Sequence, residues 1–121
     1  MKTMKDFENH WDAYDDIDNV ETGSVVEVLL LIYDDYIIDE STNLDNIRNG
    51  KPMEYEAEAY EAKYAIKDTA NILANRKDSL KVLTEIVEND KNKIAELKRI
   101  AKYYSKALAA KIEEAEEDEW L

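Results

Sequence analysis

The chain is almost without the residues that reverse a backbone. Its 121 residues include 2 Gly and 1 Pro, and from Met53 to Leu121 there is neither. Glycine and proline punctuate turns and end helices. A turn-rich all-β fold is therefore disfavoured, and a glycine-rich loop that cradles phosphates has nothing to be built from. Cysteine is absent too, which removes disulfide scaffolds and thiolate-ligated metal sites. The length suits one compact domain, so residues 1–121 are read as a single all-helical unit, a small bundle of about four helices.

Met4, Phe7, Trp11 and Tyr14 follow the spacing of one helical stripe and predict a helix over about 3–17. Gly23 marks a break. Ser24-Val25-Val26-Glu27 has the form of a capping box, and the all-apolar run that follows predicts a buried helix over about 24–39. The competing reading is a β-hairpin, Val25–Tyr33 with Tyr36–Ile38 turning at Asp34-Asp35, which the β-branched content supports. Helix is preferred because no other segment offers a strand partner. Residues 40–51, with Ser41, Thr42, Asn43, Asn46, Asn49 and Gly50, read as a linker, and Pro52 suits the first position of the next helix.

Beyond Pro52, Ala59, Ala62, Ile66, Leu73, Leu80, Leu83, Val87, Ile94, Leu97, Ala101, Tyr104 and Leu108 keep a 3–4 spacing in one register, a coiled-coil-like seam interrupted at Thr69, Arg76 and Asp90. One unbroken helix of that length would run to about 80–100 Å, too long for a compact fold. Asn75-Arg76-Lys77-Asp78-Ser79 is the expected turn, with Asp78 or Ser79 as cap, and Asn89-Asp90 the second choice. The expectation is a long C-terminal antiparallel hairpin of helices at about 52–75 and 79–116. Residues 113–121 read as a frayed acidic tail, on which Trp120 is either a docking peptide or a loose end.

The formal charge is −13, with 29 acids against 16 bases, and it is segregated. Residues 1–70 carry net −12, 71–112 net +5 and 113–121 net −6. Conventional nucleic-acid binding is opposed by this balance. The acids form three clusters: Asp12, Asp15, Asp16, Asp18 and Glu21; Asp34, Asp35, Asp39 and Glu40; and Glu54, Glu58, Glu61 and Asp68. On a helix the last set lies along one line, with neighbours about 5–6 Å apart. Such rows can imitate nucleic-acid phosphates and occupy the basic groove of a nuclease or another nucleic-acid-binding protein. They can equally be a solvated face that keeps the protein in solution. Lys91, Lys93, Lys98, Arg99, Lys102, Lys106 and Lys111 are expected to pair with the acidic helices, within the chain or across a homodimer.

Little else carries chemistry. His10 is the lone histidine and no serine has a motif around it, so a structural histidine is expected and a non-enzymatic protein with it. Asp16-Ile17-Asp18-Asn19-Val20-Glu21 lacks the sixth-place glycine of a calcium loop, and neither a metal nor a cofactor is expected. No run reaches the roughly 18–20 apolar residues of a membrane span, and Asp6, Glu8 and Asp12 fall where a signal peptide needs an apolar core, so a cytoplasmic protein without a membrane partner is expected. The excess of 13 Lys over 3 Arg is the bias of an AT-rich genome, such as a low-GC bacterium or its phage.

In size, charge and helicity alone, the chain is similar to small acidic helical proteins that block nucleic-acid enzymes, among them phage anti-defence and bacteriocin immunity proteins. The resemblance carries no motif. The residues expected to engage a basic partner surface are Asp12, Asp15, Asp16, Asp18, Asp34, Asp35, Glu54, Glu58 and Glu61. The alternative is a structural homo-oligomer assembled through the 59–108 seam.

Overall fold

In a computed structural model of the chain, the structure describes residues 1–118. Six α-helices occur among the described residues: α1 (His10–Asp15), α2 (Thr22–Arg48), α3 (Glu56–Asn75), α4 (Ser79–Asn89), α5 (Lys91–Tyr104) and α6 (Lys106–Asp118). Short 3₁₀ turns at Met4–Asp6 and Ile17–Asn19 flank α1. The all-helical expectation stands. The four-helix bundle with a long C-terminal hairpin does not.

Two polar residues overturn that hairpin. Its second arm, expected as one helix over 79–116, is three. At Asp90 the backbone turns out of the helical region, and the carboxylate caps α5 by accepting from the Lys93 amide at 3.0 Å. At Ser105 the backbone is extended, and Oγ accepts from the Leu108 amide at 3.1 Å while donating to Asn71 Oδ1 on α3 at 2.6 Å. A side-chain oxygen that satisfies a helix N-terminus makes such a break inexpensive. The breaks let α4 fold against α6 and α5 against both. The seam is consumed in this folding: Ala62, Ile66, Leu73, Leu83, Leu97, Ala101 and Leu108 are all buried within the chain.

The N-terminal half departs from its expected boundaries as well. The predicted helix over 3–17 is split, because Phe7 is extended and Asn9 starts α1 as its cap, accepting from the Asp12 amide at 3.0 Å. Gly23 lies inside α2. Ser24 does not cap this helix: its hydroxyl accepts from the Met4 amide at 3.3 Å and ties down the N-terminal segment. The expected linker at 40–51 is mostly a continuation of α2, whose buried Asn43 accepts from the Tyr55 amide at 2.9 Å and holds the start of α3. The reversal is confined to 49–55, where Gly50 takes φ 70°, a conformation open to glycine without strain. Of the segment expected to fray, residues 113–118 lie in α6 with Ala115 buried; Trp120 lies outside the described residues.

One buried cluster runs through all six helices. Val25, Val26, Val28, Leu29 and Ile32 fill the middle of it, which explains why a β-branched run is helical here: packing on several sides outweighs a propensity difference of a few tenths of a kcal/mol per residue. Against them lie Ile66, Ala70 and Leu73 of α3. Each fully buried large aliphatic side chain contributes about 1.5–3 kcal/mol. The turn between α3 and α4, where the sequence places it, is fastened to the N-terminal region. Arg76 donates through Nη1 to the Val20 carbonyl and through Nη2 to the Ile17 carbonyl, both at 2.8 Å. Asp78, a candidate cap, instead accepts from the Thr22 hydroxyl.

Candidate functional site

α1 is short, and its aromatic face is turned toward α2 and α3. His10 Nε2 lies 2.6 Å from Asp35 Oδ2, and Trp11 Nε1 donates to the same oxygen at 2.9 Å. One turn on, Tyr14 meets Trp11 edge to face with centroids 6.1 Å apart, and its hydroxyl donates to Asp68 of α3 at 2.9 Å. Burial, followed by that hydrogen bond, pushes the Tyr14 phenol well above its usual range. His10 thus fixes an aspartate, and α1 bridges the two longest helices.

Beyond this bridge the crevice between α2 and α3 opens into a groove of about 370 Å³ lined by Trp11, Asp35, Ile38, Asp39, Glu58 and Glu61. Glu58 and Glu61 also border a shallower depression of about 560 Å³ with Met53, Glu54, Glu56 and the exposed Tyr60. Carboxylates crowd these walls and no Lys or Arg lines either hollow. Asp39 registers the crowding: its carboxyl is held above the usual range, first by burial and then by the charges of Asp35 and Glu58. Among the described residues, no three His, Asp or Glu converge closely enough to hold a metal ion. The groove presents spread negative charge beside an indole and an isoleucine, a setting that suits a long cationic side chain whose stem lies on the apolar wall.

The residues expected from sequence are distributed unevenly over this surface. Asp35, Glu58 and Glu61 line the groove, and Glu54 borders the adjoining depression. Asp12, Asp15 and Asp18 are exposed along the N-terminal segment. Asp16 is drawn away from outward display: Lys2 lies 2.7 Å from it and Asn19 donates at 2.6 Å, and these hydrogen bonds hold its carboxyl below the usual range. Asp34 is exposed on α2, near enough to α5 that its charge, after burial, raises the Glu96 carboxyl. Among the described residues, Asp12, Asp15, Asp18, Asp34, Glu54, Glu58 and Glu61 have no cationic partner within 4.0 Å.

The basic run makes its ion pairs at its own end of the molecule. Lys98 meets Glu116 at 2.7 Å and Lys111 meets Glu114 at 3.8 Å. Trp11, Ile38 and Asp39 complete the groove but were not among the residues expected to bind. Their signal was in the chain, since Asp35, Ile38 and Asp39 stand at i, i+3 and i+4 and share one face of a helix. Only the seating of α1 shows that Trp11 closes that face.

Among the described residues, no helix is long and apolar enough to cross a membrane. In comparisons of the chain with protein-family models, curated proteins and solved structures, nothing matches.

Proposed function

We propose that this is a non-enzymatic, cytoplasmic binding protein whose acid-lined groove between α2 and α3 receives a basic segment of a protein partner. The partner class that fits best is a nuclease or another nucleic-acid-processing protein, whose cationic surface would meet carboxylates where it normally meets phosphates. One observation carries the reading. Asp35, Asp39, Glu58 and Glu61 surround one open groove that no lysine or arginine lines. Four acids held together in this way repel one another, and an incoming Lys or Arg relieves that repulsion as it binds. Trp11 and Ile38 supply the apolar contact that charge alone lacks, since aromatic anchors concentrate binding energy.

The test is capture on the immobilised full chain from native lysate, elution with rising salt, and identification of what elutes. A basic nucleic-acid-binding protein is expected, released at moderate ionic strength because exposed charge attraction is screened within about 8–10 Å at ordinary salt. The E54K/E58K/E61K variant is expected to lose that species while keeping its helical circular dichroism, and D12K/D15K, away from the groove, to lose less. Equal capture by E54K/E58K/E61K and the unaltered chain would refute the reading.

A further inference from the structure

From its middle onward, α2 carries large aliphatic side chains on its outward face that the described residues cover only in part. Leu31, Ile37, Ile38 and Leu44 are 39%, 47%, 63% and 49% exposed. Glu27, Asp34, Ser41 and Arg48, all exposed, recur every seventh residue and form the central line of this face. Leu31 and Ile38 flank the line on one side, Ile37 and Leu44 on the other.

We propose that this face pairs with the same face of a second copy of the chain, the two α2 helices running antiparallel about a two-fold axis at the level of Ile37 and Ile38. The residues are self-complementary about that point. Reversing the helix brings Glu27 level with Arg48, Leu31 with Leu44, Asp34 with Ser41, and Ile37 with Ile38. Acid meets base, acid meets hydroxyl and aliphatic meets aliphatic, and the two-fold makes each match twice. Neighbouring registers are worse. A shift of one heptad toward the N-terminus sets Asp34 against Asp34. A shift of one heptad toward the C-terminus leaves Leu31 facing past the end of α2 at Arg48.

The paired segment is about 33 Å long at 1.5 Å per residue. A strip about 10 Å wide along it buries a total area below that of standard interfaces. The dimer is therefore weak and concentration-dependent. Each copy carries −13, so added salt strengthens the dimer by screening the repulsion between copies. That dependence is opposite to the one expected for capture of a basic partner. Ile38 also lines the acidic groove, so self-pairing and partner docking compete for one side chain.

Sedimentation equilibrium of the full chain from about 10 to 500 μM, at about 0.15 and 0.5 M NaCl, tests the proposal. The apparent mass is expected to climb from 14.1 kDa toward twice that value with concentration, and further at the higher salt. I37S/I38S is expected to remain at the monomer mass with unchanged helicity. E27R is expected to weaken association about threefold or more, as loss of an exposed ion pair at two symmetric positions does, and E27R/R48E to restore it. The chain has no cysteine, so I38C adds a unique thiol beside the two-fold axis and is expected to cross-link on mild oxidation, while K81C on α4 does not. A monomer mass throughout, association unchanged in I37S/I38S, equal cross-linking of I38C and K81C, or association that salt weakens would each overturn the proposal.

Discussion

Arg76 offers the sharpest test of how the fold is held. It sits in the turn between α3 and α4, half-buried, and its two terminal nitrogens reach the Val20 and Ile17 carbonyls at 2.8 Å each. These carbonyls belong to the 3₁₀ segment between α1 and α2, so one side chain joins parts of the chain more than fifty residues apart. A hydrogen bond from a charged donor contributes about 1.5–3 kcal/mol, and a carbonyl left dry costs about as much. Because the site is half-buried, water replaces part of what is lost, and R76A is expected to destabilise by about 2–4 kcal/mol. With a urea slope near 1.5 kcal/mol/M, within the range for a domain of this size, the unfolding midpoint falls by roughly 1.5–2.5 M. The assay is urea titration followed by far-ultraviolet circular dichroism. R76K keeps the charge but loses the planar fork that serves two acceptors at once, and about half the effect is expected. If R76A stays within about 0.5 kcal/mol of the unaltered chain, or R76K matches it, the two bonds are not what fastens the turn.

Two further predictions concern the break after α5 and the groove. S105A removes both the cap on α6 and the bond to Asn71, and a loss of about 1–2 kcal/mol in thermal or urea unfolding is expected, with N71A/S105A less than the sum of its singles because they share one bond. Asp39 has a carboxyl raised in the folded protein, so the native state binds its proton more tightly than the unfolded chain. Its ionisation therefore weakens the fold at neutral pH, and that penalty vanishes as pH falls below the ordinary carboxylate range. D39N is expected to raise Tm at about pH 7 and leave it unchanged at about pH 3; an equal gain at both would show that the effect is packing, not charge.

The sequence was most legible where a single local rule decides the outcome. The scarcity of Gly and Pro points to helices, and Asn75–Ser79 is the turn. Most residues of the 59–108 seam are buried, although Leu80 and Tyr104 are only partly so and the hairpin expected from them does not form. It misled where a polar residue's partner lies far away in the chain. Ser24 and Glu27 have the form of a cap, yet the Ser24 hydroxyl serves Met4. Ser105 sits in a run free of breakers, and its cap on the Leu108 amide is joined by a bond to Asn71, thirty-four positions away. Residues 40–48 are rich in turn formers but continue α2, because Asn43 is buried there and holds the Tyr55 amide. Arg76 interrupts the seam because its guanidinium is needed elsewhere. The acidic site divides in the same way: the clusters are visible in the chain, but the convergence of Asp35, Asp39, Glu58 and Glu61 requires the antiparallel packing of α2 on α3, and Trp11 requires the seating of α1 on both.

The placement of charge ties these features together. In a compact fold of 14.1 kDa, the simplest way to lower electrostatic energy is to lay the basic helix against the acidic ones. Here Lys98 and Lys111 instead pair with glutamates of α6, while in the α2–α3 groove only Asp35 has a partner, His10, among the described residues. Asp39, raised first by burial and then by the charges of Asp35 and Glu58, holds its proton more tightly than usual. A few tenths of a kcal/mol per like-charged pair is a cost the buried cluster carries easily. On the proposed reading, this repulsion is free energy that a cationic ligand would recover on binding, and it would resist close approach of a second copy. Added salt is therefore expected to weaken the first proposed association and to favour the second, so one ionic-strength series tests both proposals.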